Sequence, residues 1–205
     1  MRPDNRMASH PRRKSAAIFR WLSRLFLLTG VFALCYAAYF YASAYAFQKI
    51  ESISLSRPRP PDAPAIEQVV PDGGVIGRIE IGRLGLSAII AEGDSPSLLG
   101  RAVGHVPDTA MPGESGNIVL TGHRDTFFRP LRKIQEGDVI TLETKSGEYQ
   151  YAVESTAIVP PTATEVLQSS SSEELTLITC YPFYYVGPAP NRFIVHARKV
   201  DHFGE

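Results

Sequence analysis

The chain has 205 residues, 44% of them hydrophobic, with 16 Gly and 16 Pro, a composition that suits one globular domain with appendages and excludes a disordered or repetitive protein. The formal net charge is zero, yet seven of the 21 Lys and Arg precede Leu25 with only Asp4 against them, leaving 14 basic and 20 acidic residues beyond. A nucleic-acid backbone needs an extended basic face, so no nucleic-acid partner is expected for the main part of the chain.

Residues 1–24 form a basic segment, ending in "RRKSAAIFRWLSR". The next stretch, residues 25–46, "LFLLTGVFALCYAAYFYASAYA", holds no charge over 22 positions. As a helix it spans roughly 33 Å, enough for a bilayer core. Lys49 and Glu51 cancel on its far side, so the positive-inside rule puts the N-terminus in the cytoplasm and the rest outside. Tyr36, Tyr39, Tyr41 and Tyr45 crowd the outer half, as interfacial aromatics do. A cleaved signal peptide, with "ASA" or "AYA" near Ala44 as its processing site, is the alternative, but the apolar stretch is long for that role. The chain is therefore expected at the cell membrane with a single pass. Residues 47–74 read as a linker, since "SRPRPPDAPAIEQVVPDGG" places five prolines between Pro58 and Pro71 and favours an extended tether.

Residues 75–205 remain for the folded domain, about 130 positions, sufficient for one buried core. Runs at 75–81 and 86–91, separated by "GRLG", predict two strands joined by a tight turn. Further strands are predicted at 117–122, 138–144, 149–159, 175–180 and 192–200, punctuated by "GDSPS", "MPGESGN", "KSGE" and "GPAPN". Short helical turns fit 96–102, 126–134 and 164–169. The fold class is thus mainly all-β. Seven or eight short strands suit a barrel, although periodicity alone does not separate a barrel from a sandwich.

Of the two cysteines, Cys35 sits in the apolar N-terminal stretch, which leaves Cys180 alone in the outer domain. Outside the cytoplasm thiols tend to be oxidised in pairs, so a solitary one calls for a reason: it is either an inert core residue or a reactive group. Cys180 ends the run "LTLIT" and is followed two residues later by Pro182, which places the thiol at a strand mouth. His123 stands at a similar boundary in "GNIVLTGHRDTFFRPL", and Arg192 opens the strand "NRFIV". A thiol nucleophile needs a base or cationic partner, and the oxyanion of acyl transfer needs donors, roles that an imidazole and a guanidinium fit. Asp125 either orients the imidazole or caps the turn "DTFFRPL". His105 and His196 have no motif context.

These motifs carry a resemblance. "TLITC" at 176–180, "TGHRDTFFRPL" at 121–131 and "NRFIV" at 191–195, in that order, resemble the sortase family, and specifically its class D type with a TLxTC signature. The resemblance implies an eight-stranded sortase-like β-barrel with short helices. It also implies a catalytic trio of His123, Cys180 and Arg192, acting on proteins that end in an LPxTG-like sorting signal. The acyl fragment would be held as a thioester on Cys180 and passed to an amine acceptor, either a cell-wall precursor or a pilin lysine. By the same resemblance the segment "PPTATEVLQSSSSEE" shapes the signal pocket, with Val166 and Leu167 as its apolar wall. Thr179, next to the thiol, is a further substrate-contact candidate through its backbone or hydroxyl, with strand alternation offering the other face as the alternative. Reference pKa values near 8.5 for a thiol and 6.5 for an imidazole make the charged pair about a hundredfold rarer than the neutral one, which implies modest turnover. Two other readings stand beside this one: a hydrolytic cysteine peptidase with the same trio, and a membrane-tethered binding domain without catalysis. No cofactor and no metal are expected, because no cluster of His, Cys and carboxylate has ligand spacing.

Overall fold

The computed structural model describes residues 12–55, 70–168 and 172–200. The chain divides into two units, one up to Ser43 and one from Ala44 onward. Helix α1, Arg12–Leu55, contains the apolar stretch Ile18–Ile53, long enough to cross a membrane and exposed up to Ser43. The helix does not stop at residue 46, where the sequence reading starts its linker. Residues 47–55, "FQKIESISL", contain neither Gly nor Pro, and the first helix breaker is Pro58. The proline-rich stretch 56–69 lies outside the described residues.

The second unit is a barrel of eight strands: β1 (Val75–Ile81), β2 (Leu86–Glu92), β3 (Val103–His105), β4 (Gly116–Thr121), β5 (Val139–Thr144), β6 (Glu148–Val159), β7 (Glu173–Tyr181) and β8 (Asn191–Lys199). They close in the order β1-β2-β3-β4-β7-β8-β6-β5, with β5 pairing back onto β1. Two pairings are parallel, β2 with β3 and β4 with β7, and the rest are antiparallel. Seven of the strands lie where the sequence puts them. The short β3 escapes sequence reading because three residues, "VGH", are too few to show alternation.

Side-chain alternation fills the barrel. Ile79 and Ile81 of β1, Ile118 and Leu120 of β4, Leu175 and Leu177 of β7, and Val195 and Ala197 of β8 are all buried in one core cluster. Each full burial of such an aliphatic chain contributes about 1.5–3 kcal/mol. The opposite faces of β4, β7 and β8 then present Thr121, Ile178, Cys180, Arg192 and Ile194 together on the outside of the wall. A 3₁₀ turn at Gly82–Leu84 joins β1 to β2, and three further short elements lie between other strands: helix α2 (Pro96–Leu99) and the 3₁₀ turns Arg129–Lys133 and Thr164–Leu167. They occupy the three places where helical turns are predicted.

The last turns of α1 belong to the barrel unit. Phe47 packs on the small cluster of Ala91, Leu98 and Ala102, and the Arg101 guanidinium lies 5.0 Å from its ring centre. Gln48 accepts from the Ile89 backbone N–H at 2.8 Å and donates to the Arg101 carbonyl at 2.7 Å. Its amide thereby satisfies a donor of β2 and an acceptor beside β3.

Candidate active site

Strand register fixes two of the three predicted residues against each other. Cys180 of β7 is the direct partner of Arg192 of β8 in the antiparallel ladder. Opposed residues on one face have Cβ atoms about 4.5–5.5 Å apart, so the thiol and the base of the guanidinium chain are neighbours by construction. His123 comes from the other side. β4 runs parallel to β7 with Thr121 beside Ile178, and the Gly122 N–H donates to the Ile178 carbonyl at 3.2 Å. Continuing that register by two residues brings His123 level with Cys180. All three side chains are half-buried and line one groove of about 400 Å³.

The turn after Gly122 holds the histidine in place. The His123 carbonyl accepts from the backbone N–H groups of Thr126 at 3.4 Å and Phe128 at 3.2 Å. Phe128 is fully buried, and its ring packs so closely on Gly122 that an added Cβ would lie 2.9 Å from it. Only glycine allows this approach. Arg124, next in the chain, donates to the carbonyls of Tyr185 at 2.7 Å and Gly187 at 3.0 Å, with its guanidinium 5.9 Å from the Tyr185 ring centre. The segment between Cys180 and Arg192 is thereby tied to the histidine turn.

One nitrogen of Arg192 donates locally, to the carbonyls of Asn191 at 3.1 Å and Ala189 at 3.4 Å. The rest of the guanidinium has no partner among the described residues and faces the groove. Asp125 is exposed and has no hydrogen bond to the His123 ring. It caps nothing either: the 3₁₀ turn starts after Phe128 with no side-chain cap. The cap expected from "DTFFRPL" is absent because the turn begins at Arg129, three residues later than the motif suggests.

Val166 and Leu167 line the groove together with Pro160, Pro161, Ala163, Leu99 and Val106. Thr179, expected as a substrate contact, is among the residues that line the groove. It is 2% exposed, on the face shared with Leu175 and Leu177, and its hydroxyl donates to the Gly122 carbonyl at 2.7 Å. That hydroxyl is committed to the residue before His123.

The sequence reading missed two residues. Asn117, buried on the outer face of β4, accepts from the Thr176 hydroxyl at 2.8 Å and donates to the carbonyls of Val166 at 3.0 Å and Gln168 at 3.3 Å. It fastens the 3₁₀ turn that carries Val166 and Leu167 to the barrel wall. A polar residue at an outward position of the apolar run "NIVL" was the available signal. Asp94, after β2, is the sole carboxylate among the groove-lining residues described. His105 lies elsewhere, buried with Nδ1 2.8 Å from a Glu92 carboxylate oxygen and Nε2 3.0 Å from the Ala110 carbonyl. It clasps β2, β3 and the following loop, and neither it nor His196 lines the groove. Among the described residues no group of three or more His, Cys, Asp or Glu is placed to hold a metal ion.

The arrangement is a strand-end thiol with an imidazole on one side, a guanidinium on the other, and an apolar-walled channel across them. It has the parts that acyl transfer through a thioester requires. The family model for the sortase domain matches residues 79–200. Sortase D of Bacillus subtilis (strain 168) is 40% identical over 129 residues, covering 62% of this chain and 65% of that protein. Sortase A of Bacillus anthracis is 32% identical over 110 residues, covering 52% of each. The chain thus spans about half to two thirds of the length of these two relatives. Among solved structures, a Clostridium perfringens sortase D5 transpeptidase superposes with a TM-score of 0.67 at 27% identity, covering 78% of this chain and 99% of that one.

Proposed function

From the premise that this chain belongs to the sortase family, we propose that it is a membrane-anchored cysteine transpeptidase working through His123, Cys180 and Arg192. The observation that carries the reading is the direct pairing of Cys180 with Arg192 on the outer barrel face, with His123 lining the same groove. In this reading the Cys180 thiolate attacks the threonine carbonyl carbon of an LPxTG-like sorting signal. The C–S bond forms as the carbonyl π bond opens to an oxyanion, which the free part of the Arg192 guanidinium stabilises by charge-assisted hydrogen bonds. His123, as imidazolium, gives its proton to the departing glycine nitrogen as the peptide bond breaks, leaving a thioester.

The second half-reaction runs the same parts in reverse. An amine acceptor attacks the thioester carbonyl, neutral His123 takes the proton from its nitrogen, and the C–S bond breaks to restore the thiolate. Val166, Leu167, Leu99 and Val106 along the groove offer apolar surface to the signal's leucine and proline. Thr179 supports the site by holding Gly122. The apolar stretch Ile18–Ile53 supports the anchoring, and the basic residues before it favour an N-terminus in the cytoplasm with the barrel outside.

The test uses the full chain in neutral detergent with a labelled LPxTG-type peptide, with and without an amine acceptor. Joined product in the presence of the amine, abolished in Cys180→Ala, is the expected result. Hydrolysis alone in both tubes would replace the transpeptidase with a peptidase, and unchanged cleavage by Cys180→Ala would end the catalytic reading.

A further inference from the structure

A second concavity, about 460 Å³, is lined by residues of the chain that follows the histidine turn and by the turn between β1 and β2, and shares no lining residue with the thiol groove. Four cationic side chains line it, Arg83, Arg129, Arg132 and Lys133, with Thr126 among them, and no carboxylate does. Two of the cations are held in place. Arg83, in the turn between β1 and β2, makes a forked contact with Asp138, one arm of which is 2.6 Å from Oδ2, and donates to the Lys133 carbonyl at 2.6 Å. Arg132 donates to the Tyr184 hydroxyl at 2.6 Å with its guanidinium 5.4 Å from that ring centre.

Asp138 balances one of the four charges. Its two oxygens are already engaged with Arg83 and with the Gln135 N–H, at 2.8 Å for the latter. Arg129 and Lys133 are exposed, and their side-chain nitrogens have no partner among the described residues. Asp125 and Glu136 belong to the same stretch of chain but do not line the cavity. Three unbalanced cations around one concave wall repel each other when it is empty, and a concave low-dielectric surface concentrates their field. A single carboxylate would answer only part of that charge. Guanidinium forks already fixed by other contacts lose little freedom on meeting tetrahedral phosphate oxygens.

We propose that the cavity bounded by Arg83, Arg129, Arg132 and Lys133 binds a phosphate-bearing anion. Arg129 and Lys133 are the free arms that close on it, Arg132 is the fixed fork, and Thr126 offers a hydroxyl. The site stands apart from the thiol groove and does not depend on the transpeptidase reading. The phosphate belongs either to a soluble diphosphate compound or to the headgroup of a membrane lipid.

Calorimetric titration of the full chain in neutral detergent at low salt distinguishes these sources, with inorganic pyrophosphate in one arm and glycerophosphoglycerol, a deacylated lipid headgroup, in the other. Saturable pyrophosphate binding is expected, weakening as salt is raised. It should fall at least tenfold in the double variant Arg129→Ala, Lys133→Ala, and by a similar factor in the bulkier Arg129→Gln, Lys133→Gln. Circular dichroism checks that both variants keep the barrel. Binding of the headgroup with the same loss assigns the phosphate to a lipid, and binding of pyrophosphate alone assigns it to a soluble diphosphate; either supports the site. No saturable heat with either probe, or equal affinity in wild type and both variants, overturns it. Peptide cleavage is a separate readout with its own substrate, so this proposal and the transpeptidase reading fail independently.

Discussion

The Thr179 hydroxyl donates to the Gly122 carbonyl at 2.7 Å, joining the residue before Cys180 to the residue before His123. This bond inside the barrel wall couples the positions of the two groups to which the proposed mechanism gives the proton transfer. Thr179→Val keeps the shape and removes the donor, leaving a buried carbonyl short of a partner. Stability should fall by about 1–3 kcal/mol, and kcat should fall while KM changes little. Thr179→Ser restores the hydroxyl and should recover most of both. Thermal melts and peptide-cleavage kinetics of the three proteins check this, and wild-type kcat in Thr179→Val would remove the coupling.

Arg192 sits opposite Cys180 with most of its guanidinium unpaired among the described residues. Arg192→Ala should lower kcat/KM by about 10²–10³, the usual loss for one oxyanion donor. Arg192→Lys keeps the charge but not the planar fork, so it should recover only part of that loss. Single-turnover measurement of thioester formation reads the effect directly, and Arg192→Lys at wild-type rate would show that charge alone suffices.

Asn117 supplies two donors to the segment bearing Val166 and Leu167. Asn117→Asp removes both donors and places a charge against two carbonyl oxygens, and Asn117→Leu removes them with little change of size. Each should raise KM about tenfold or more with kcat changed far less, since the wall is loosened while the trio is untouched. Equal changes in kcat would place Asn117 in the chemistry instead.

Asp138 gives the barrel a pH-dependent brace. The hydrogen bonds from Arg83 hold its carboxyl below the usual carboxylate range, outweighing the opposing effect of burial. A carboxylate with a lowered folded-state value stabilises the fold above its unfolded value, near 3.9, and that contribution is lost as pH falls through the folded one. The melting difference between wild type and Asp138→Asn should therefore be full at pH 6–7 and shrink as pH drops below about 4. A difference that stays constant down to pH 2 would contradict this.

Much of the barrel was legible because alternation is a local signal: "VIGRIEI" and "LTLIT" announce their faces without reference to anything distant. The trio's residue types were legible at strand boundaries for the same reason. Which strands meet was not, since the pairing of β5 with β1 and the parallel pairings of β4 with β7 and β2 with β3 depend on contacts far apart in sequence. Thr179 illustrates the limit within a strand, where alternation offered two faces and only the filled core at Leu175 and Leu177 selects the inner one. Asn117 and Arg124 show the limit between strands, because their partners lie 49 and 61 residues away.

The Gln48 clasp has a practical consequence for dissecting the chain. A fragment begun at Val75, where the strands start, would strip the Ile89 N–H and the Arg101 carbonyl of their partner and bare the apolar patch under Phe47. A fragment begun at Ala44 retains that plug. The lower limit for an autonomously stable piece is therefore set by one glutamine and one phenylalanine that a strand map alone would discard.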